Sequence, residues 1–167
     1  MFGIQTGYVL VWRPDKGFSQ LAGSAGVVPN GIEIAPDGET IFVNYSNGEV
    51  RRVNRRKGKI EASNNTLPPL DNVTWTPDGR LLVAGALDDA FTMMACTTLE
   101  TGSCPGAFAI IAVDPETLES EIIYEGGPNT PGGAGTVGLY VSDGSLLIGT
   151  FAGDRIVRVM PPQVKAE

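Results

Sequence analysis

The stretch from Val27 to Tyr45, VVPNGIEIAPDGETIFVNY, decides the fold because it sets a Pro-Asp-Gly turn between two short, largely apolar runs. This pattern predicts a β-hairpin, since such runs suit half-buried strands and Pro-Asp-Gly suits a tight turn. A near copy, PLDNVTWTPDGRLLVAGA, follows from Pro69 to Ala86. The two turns begin at Pro36 and Pro77, which are 41 residues apart. The chain therefore repeats a structural unit.

Each hairpin is followed by two further short strands, so the repeated unit contains four strands. The segments GEVRRVNR and KIEASN follow the first hairpin, and FAIIAVDP and SEIIYEG follow the second. A third, partial copy, GTVGLYVSDGSLLIGTF, places a Ser-Asp-Gly turn at Ser142, 65 residues after Pro77. Four antiparallel strands in a period of about 40 to 45 residues are typical of a β-propeller blade.

The two ends of the chain carry incomplete units. TGYVLVWRP and GFSQLAGS resemble the two outer strands of a blade, and GTVGLYVSD, SLLIGTF and RIVRVM supply three strands near the end. We expect an all-β protein without a helix of useful length, and about thirteen strands grouped as two, four, four and three. This is about three blades, or half of a six-bladed propeller. The predicted segments of the single domain 1–167 are a partial blade 1–26, a blade 27–69, a blade 70–127 and a partial blade 128–160.

The composition narrows the classes of function. The 167 residues are 42% hydrophobic, enough for a core, and the net charge of −7 argues against binding to nucleic acid or to an anionic membrane. The sequence contains no long apolar segment and begins without the basic region and cleavage site of a signal peptide. We therefore expect a soluble protein with no nucleic-acid and no membrane partner.

The two cysteines, Cys96 and Cys104, have two interpretations. They could close a small surface loop by a disulfide, which would indicate a periplasmic or secreted protein, or they could be free thiols. A zinc site is disfavoured because the chain contains no histidine and only these two cysteines.

Half a propeller raises the question of closure, because an open arc would leave strand edges unpaired. One hypothesis is a homodimer in which two chains pair about a two-fold axis and complete a ring of about six blades. The other is that this chain is part of a longer protein and that Met1 is an internal methionine.

Four segments, in this order, resemble the second half of the gluconolactonase, paraoxonase and strictosidine-synthase-like group: PNGIEIAPDGETIFV, LDNVTWTPDGRLLVAG, DPETLESEIIYEGG and VSDGSLLIGTFAGDRIVRV. The resemblance implies a six-bladed propeller with calcium or another divalent cation at the top of its central channel. By position, Asn30 and Asp71 resemble two of the metal ligands, and Asn72 resembles an additional ligand of the paraoxonase branch. An early-blade Glu and a first Asn of that site have no counterpart here.

The resemblance also implies a reaction, the hydrolysis of a small lactone or ester. The metal would polarise the carbonyl, and Asp71 would help a water molecule to attack it. In a two-fold dimer, two copies each of Asn30 and Asp71 could supply the oxygen ligands. The alternative is a catalytically silent module for binding or assembly.

The same residues also have ordinary structural interpretations. Asn-Gly and Asp-Asn are common turn formers, so Asn30, Asp71 and above all Asn72 could simply begin a strand. The basic run RRVNRRKGK, residues 51–59, is interpreted as charges that protect an outer strand edge. Turn and surface positions are predicted for four further asparagines: Asn44, Asn47, Asn64 and Asn65.

Overall fold

The computed structural model describes residues 4–161, whose strands form four antiparallel sheets. Residues 1–3 of the first predicted segment lie outside the described part of the chain. The strands, in chain order, are β1 (Leu10–Arg13), β2 (Gly17–Gln20), β3 (Pro29–Ile34), β4 (Thr40–Tyr45), β5 (Val50–Asn54), β6 (Lys59–Asn64), β7 (Leu70–Trp75), β8 (Leu81–Ala86), β9 (Phe108–Val113), β10 (Ser120–Gly126), β11 (Gly135–Tyr140), β12 (Leu146–Thr150) and β13 (Val157–Val159). The all-β prediction and the grouping into two, four, four and three strands are confirmed. The predicted segment boundaries stay predictions.

The chain divides into two compact units, of which the first ends at Asp71 and the second begins at Asn72. The first unit contains the two-stranded sheet β1–β2 and the four-stranded sheet β3–β4–β5–β6. Its core is built from alternate residues of the inner strands, as expected for strands with one face buried. The core residues are Leu21, Ile41, Val43, Tyr45 and Val53, with Val9 and Val11 packed against them.

The second unit contains the sheet β7–β8–β9–β10, of which β7 begins at Leu70, and the sheet β11–β12–β13. Strand β9 is buried along its whole length, which explains why its sequence, FAIIAV, is apolar without alternation. The buried cluster of this unit comprises Leu82, Ala84, Phe108, Ile110, Ala112, Ile123, Leu146 and Ile148.

The three repeated turns have the same construction. In each turn the glycine amide donates to the carbonyl oxygen three residues earlier, from Gly38 to Ala35 at 2.9 Å and from Gly79 to Thr76 at 3.1 Å. The third turn repeats this bond from Gly144. All three glycines adopt a positive φ, which other residues reach only with strain. The Pro-Asp-Gly motif is therefore part of the blade architecture.

The connection between β8 and β9, which carries Cys96 and Cys104, contains a helix that the sequence analysis did not predict. This short helix, α1 (Ala90–Ala95), is followed by a 3-10 turn at Cys96–Thr98. The carboxylate of Asp89 caps α1, since its Oδ1 accepts from two backbone amides of the first turn. A helix of six residues is too short to show a hydrophobic periodicity, which is why the sequence pattern missed it.

Cys96 and Cys104 form a disulfide, so the disulfide alternative of the sequence analysis is the one observed. Both cysteines are buried, together with Ala134 and Ala152. The disulfide closes the segment that follows α1, and its two cysteines pack against Ala134 and Ala152. No helix among residues 4–161 has the length and hydropathy that a membrane crossing requires.

The basic run is not uniformly exposed, as its interpretation as an edge-protecting run would require. Arg51 is only 9% exposed, whereas the Arg55, Arg56 and Lys57 side chains of the following turn lie in solvent. Burying a charged side chain removes it from water at a large cost in free energy, so such residues are buried only when partners compensate the charge. The partners of Arg51 lie in a distant loop, at Gly23 and Ala25, and a local pattern cannot reveal them.

Gly48 and Gly79 form a matched pair for testing the packing of the turns. Both have φ of 86°, but a Cβ on Gly48 would lie 1.9 Å from the carbonyl oxygen of Leu67, while Gly79 has nothing within 4 Å. Gly79→Ala should cost only the left-handed conformation, about 1 to 2 kcal/mol. Gly48→Ala should cost at least about 3 kcal/mol or prevent folding, because it adds a backbone collision. Urea denaturation measures both, and equal losses would contradict the close packing at Gly48.

Candidate functional site

Asn30 lies in a β-bulge at the start of β3. The register with β4 shifts between Pro29 and Ile32, so Asn30 and Gly31 together oppose the single residue Asn44. A bulge leaves one residue out of the regular ladder and changes the direction of its side chain. Bulges are over-represented next to active sites for this reason.

The chain enters this bulge through a strained residue. Val28 has φ of 47°, a left-handed conformation that is a true outlier for a β-branched side chain. Two hydrogen bonds hold it there: the Val28 amide donates to Thr6 Oγ1 at 2.9 Å, and the Ser46 amide donates to the Val28 carbonyl oxygen at 3.1 Å. Because its surroundings fix this strained conformation, the backbone that leads to Asn30 has a defined course.

Asn44 is fully buried, at 0% exposure, so its prediction as a turn or surface residue is wrong. Its Nδ2 donates to the main-chain oxygen of Asp71 at 3.2 Å. Its Oδ1 is buried and accepts no hydrogen bond from the residues that the structure describes. A buried acceptor without a donor costs about 1 to 3 kcal/mol, and such a group in a native protein calls for a bound water, an ion or a functional reason.

The three residues Asn30, Asn44 and Asp71 are thus linked by contacts within the first unit. Asn30 opposes Asn44 in the strand ladder, and Asn44 is hydrogen-bonded to the backbone of Asp71. Asn30 is exposed and Asp71 is half-buried, so both side chains are accessible from solvent. We call these three residues the asparagine–aspartate cluster.

Asn72, the third residue predicted as a ligand, lies in the second unit and has a structural contact there. Its Nδ2 donates to the carbonyl oxygen of Thr136 at 3.1 Å. Two residues further along the same face of β7, Thr74 Oγ1 donates to the carbonyl oxygen of Gly138 at 2.7 Å. These two bonds connect β7 to β11, so the side chain of Asn72 has a structural role that requires no metal. Its role as a ligand stays a prediction.

The asparagine–aspartate cluster fits a hard cation in the kind of its donors. It offers one carboxylate and two amide oxygens, which are the ligands that Ca²⁺ takes at about 2.3 to 2.6 Å. It does not fit in number, since Ca²⁺ takes about six to eight oxygens. Within residues 4–161, no group of three or more His, Cys, Asp or Glu is arranged to hold a metal. The cluster therefore has donor types that suit calcium, while the contacts that link its members run through the backbone and not between their side-chain oxygens.

The aspartates of the repeated turns accept hydrogen bonds from residues of those turns. The backbone amide of Thr40 lowers the pKa of Asp37 by hydrogen bonding, and the hydroxyl of Thr76 does the same for Asp78. Ser145 lowers the pKa of Asp143 in the third turn. These carboxylates are ionised and engaged in holding their turns.

Comparison with known proteins supports the fold. No protein-family model matches the chain, and no curated protein matches it significantly. The β-propeller domain of Cps50 (Swd1) from Myceliophteria thermophila is similar in structure, with a TM-score of 0.52, 18% identity, and coverage of 98% of this chain and 62% of that domain. This similarity shows the β-propeller fold.

Two candidate 6-phosphogluconolactonases of known structure are also similar. The one from Bacteroides uniformis has 17% identity and a TM-score of 0.48, over 84% of this chain and 40% of its own. The one from Bacteroides fragilis has 15% identity and a TM-score of 0.47, over 81% of this chain and 35% of its own. The chain therefore spans less than two thirds of the length of each of these three structures.

Sequence reasoning missed Asn44, although a signal was present. Asn44 is the only amide-bearing residue within the apolar run TIFVNY, and its neighbours on β4 are buried. A polar side chain in a strand buried on both faces must find a partner or a ligand. Its position inside a buried strand distinguishes Asn44 from an asparagine in a turn.

Asn44→Asp tests whether the side chain of Asn44 is confined in a buried position that does not accommodate a charge. The new carboxylate cannot donate to the Asp71 carbonyl oxygen and would be buried, so unfolding free energy should fall by at least about 2 kcal/mol without added metal. Burial would raise the pKa of the new carboxyl above its unfolded value, so the loss should grow as pH rises above about 4. Urea denaturation at pH 5 and pH 8 measures this.

Asn47→Asp is the matched control, because Asn47 is exposed in the turn that follows β4. It should change stability by less than about 0.5 kcal/mol at either pH. Equal losses in the two variants would show that Asn44 is not in a confined site.

Proposed function

We propose that the protein is a metal-dependent hydrolase of lactones or simple esters, with its site at the asparagine–aspartate cluster. The observation that carries this proposal is the buried Oδ1 of Asn44, which has no hydrogen-bond donor among the described residues. The same side chain donates through Nδ2 to the main-chain oxygen of Asp71, and Asn44 opposes Asn30 in the strand ladder. A bound cation would satisfy Oδ1 of Asn44 and draw the other two side chains toward it. Among metals, an all-oxygen donor set favours calcium over zinc or copper.

The proposed chemistry uses the residues of this chain in three roles. Bound at the cluster, a divalent cation would supply a Lewis acid for the acyl carbonyl oxygen. The carboxylate of Asp71 accepts a proton from water as the water oxygen attacks the acyl carbon. The carbon–oxygen bond to the leaving alcohol then breaks, the proton passes to that oxygen, and a lactone opens to a hydroxy acid. Asn30 and Asn44 hold the position of the site without taking part in proton transfer.

The family that best accommodates this proposal is the gluconolactonase, paraoxonase and strictosidine-synthase-like group. The β-propeller fold agrees with that group, and the cluster contains Asn30 and Asp71, which resemble two of its metal ligands. The histidine chemistry of the paraoxonase branch is excluded, since the chain contains no histidine. The gluconolactonase type of reaction, with a carboxylate as base, is the one that these residues support.

Calcium titration and a lactone assay test the proposal on two readouts. Calcium should raise the melting temperature, because a ligand that binds only the folded state stabilises that state. At a calcium concentration 100 times the Kd, the stabilisation is about 2.7 kcal/mol. Asp71→Asn should abolish that shift and reduce kcat for a panel of lactones and aryl esters by at least about 100-fold. Asn47→Ala, in the exposed turn, should change neither quantity.

The two readouts also separate the proposal from its alternative. A calcium shift without turnover on any lactone or ester would favour a metal-binding module for assembly. The absence of both a calcium shift and turnover would contradict the metal site and the activity together. Turnover that survives Asp71→Asn would show that Asp71 is not the base.

A second copy of the chain is our proposed source of the missing ligands. Two copies each of Asn30 and Asp71, the solvent-accessible members of the cluster, would offer four oxygen-bearing side chains if they faced each other across a two-fold axis. The two-stranded sheet supports pairing, since Trp12 and Phe18 are cross-strand partners and are 58% and 72% exposed. Exposed apolar side chains that adjoin one another form the kind of contiguous patch that marks protein–protein interfaces.

Sedimentation equilibrium tests the homodimer directly. The chain has a mass of 17.6 kDa, and the particle should have twice that mass. Trp12→Ser with Phe18→Ser should shift it toward the monomer, whereas Ile122→Ser, an equally exposed apolar residue of β10, should not. A monomeric wild-type protein at micromolar concentration would contradict the dimer.

The disulfide supports an oxidising compartment, such as the periplasm or the extracellular space, as the proposed location. Disulfides persist in such compartments and are rare where thiols are kept reduced.

A further inference from the structure

A cavity of about 230 Å³ in the first unit is lined by four cationic residues and by no carboxylate. The cations are Arg13 from β1 and Arg55, Arg56 and Lys57 from the turn between β5 and β6. The protein as a whole has a net charge of −7, so this concentration of positive charge is local. It is separate from the asparagine–aspartate cluster, with which it shares no residue.

Strand alternation brings Arg13 to the cavity. Val9 and Val11 pack against the core of the four-stranded sheet, and Arg13 is the next residue on the same face of β1. The apolar face ends there, and the side chain of Arg13 continues past the core to the cavity. Ser19, whose Oγ accepts from Arg13 Nη1 at 3.5 Å, lies on the neighbouring strand and also lines the cavity.

The turn that supplies the other three cations is held in shape by its own residues. Asn54 Oδ1 accepts hydrogen bonds from the backbone amides of Arg56, at 3.2 Å, and Lys57, at 3.0 Å. Gly58 is in close contact with Ala22, since a Cβ on Gly58 would lie 2.6 Å from the Ala22 Cβ. The backbone of the cavity wall is therefore fixed before any ligand binds, which reduces the entropy cost of binding.

The four cations differ in how far the protein neutralises them. Arg56 forms an ion pair with Glu39 at 2.8 Å. Hydrogen bonds from Thr40 and Glu39 are the main causes of the lowered pKa of Asp37, and the charge of Arg55 is the smallest contribution. Arg13 and Lys57 form no ion pair with a carboxylate of residues 4–161. Like charges in one cavity repel one another, and an anion bound among them removes that repulsion.

We propose that this cavity binds a small phosphate dianion, either inorganic phosphate or a phosphate monoester. Guanidinium groups donate two parallel hydrogen bonds to phosphate oxygens, and the lysine adds a point charge. The cavity, of about 230 Å³, is open to solvent and has room for a phosphate with a short organic group. A nucleic acid is too large for it and would be repelled by the remaining charge of the protein.

Phosphate titration of the purified chain tests the proposal after metal removal on a chelating resin, with no calcium and no EDTA in the buffer, so that neither the metal site nor a competing anion plays a part. Isothermal titration calorimetry at constant ionic strength gives Kd for inorganic phosphate and for glycerol phosphate. Arg55→Gln with Lys57→Gln should raise Kd at least about tenfold, since a charge-assisted hydrogen bond is worth about that factor. Both side chains are exposed, so circular dichroism should show an unchanged fold.

Lys59→Gln is the matched control, because Lys59 is exposed in the same hairpin but does not line the cavity. It should leave Kd within about twofold, and the ligand with the lower Kd identifies free phosphate or the monoester as the natural class. No heat of binding in the wild-type protein would overturn the proposal. Equal weakening by Lys59→Gln would also overturn it, because only general electrostatic attraction would then remain.

Discussion

The guanidinium of Arg51 is the interaction on which the first unit depends. Its Nη1 donates to the carbonyl oxygens of Gly23 at 2.9 Å and Ala25 at 2.8 Å, and it also donates to the hydroxyl of Tyr45 at 3.2 Å. Glu49 neutralises the charge from the other side at 2.7 Å. Burial raises the pKa of Tyr45 to about 12, and its protonated hydroxyl donates to the carbonyl oxygen of Ser24 at 2.7 Å. One buried cation thus attaches the loop after β2 to the four-stranded sheet.

Both proposed sites lie at the ends of the loop that Arg51 holds. Ala22, immediately before Gly23, packs against the turn that supplies three cations to the phosphate cavity. Gly26, immediately after Ala25, leaves no room for a side chain, since a Cβ there would lie 2.2 Å from the ring of Tyr45. Two residues later the strained Val28 leads into the bulge of Asn30. The loop therefore sets the geometry at both of its ends, although the two sites share no side chain.

The parts of the fold that local chemistry dictates were predictable from the sequence. The Pro-Asp-Gly turns and the strands beside them follow from residues that are close in the chain, and the strand grouping follows from the return of that pattern 41 residues later. Arg51 and Asn44 were misjudged because their burial depends on partners that are distant in the chain. Arg51 contacts backbone 26 and 28 residues away, and Asn44 contacts backbone 27 residues away. The helix α1 was missed for another reason, its length of six residues.

The same distinction applies to the candidate site. Asn30 and Asp71 were found from the repeat and from family resemblance, because equivalent positions in successive blades converge. The bulge that sets the direction of Asn30 could not be found in this way, since a register shift depends on how two strands pair. The stretch from Val27 to Tyr45 therefore contains two separate arrangements. Its Asp37 is engaged by the amide of Thr40 and fixes the turn, whereas its Asn30 lies in a bulge, outside the regular ladder and accessible to a ligand. A repeat can conserve the first arrangement by local chemistry alone, but the second exists only when β3 and β4 pair in this register.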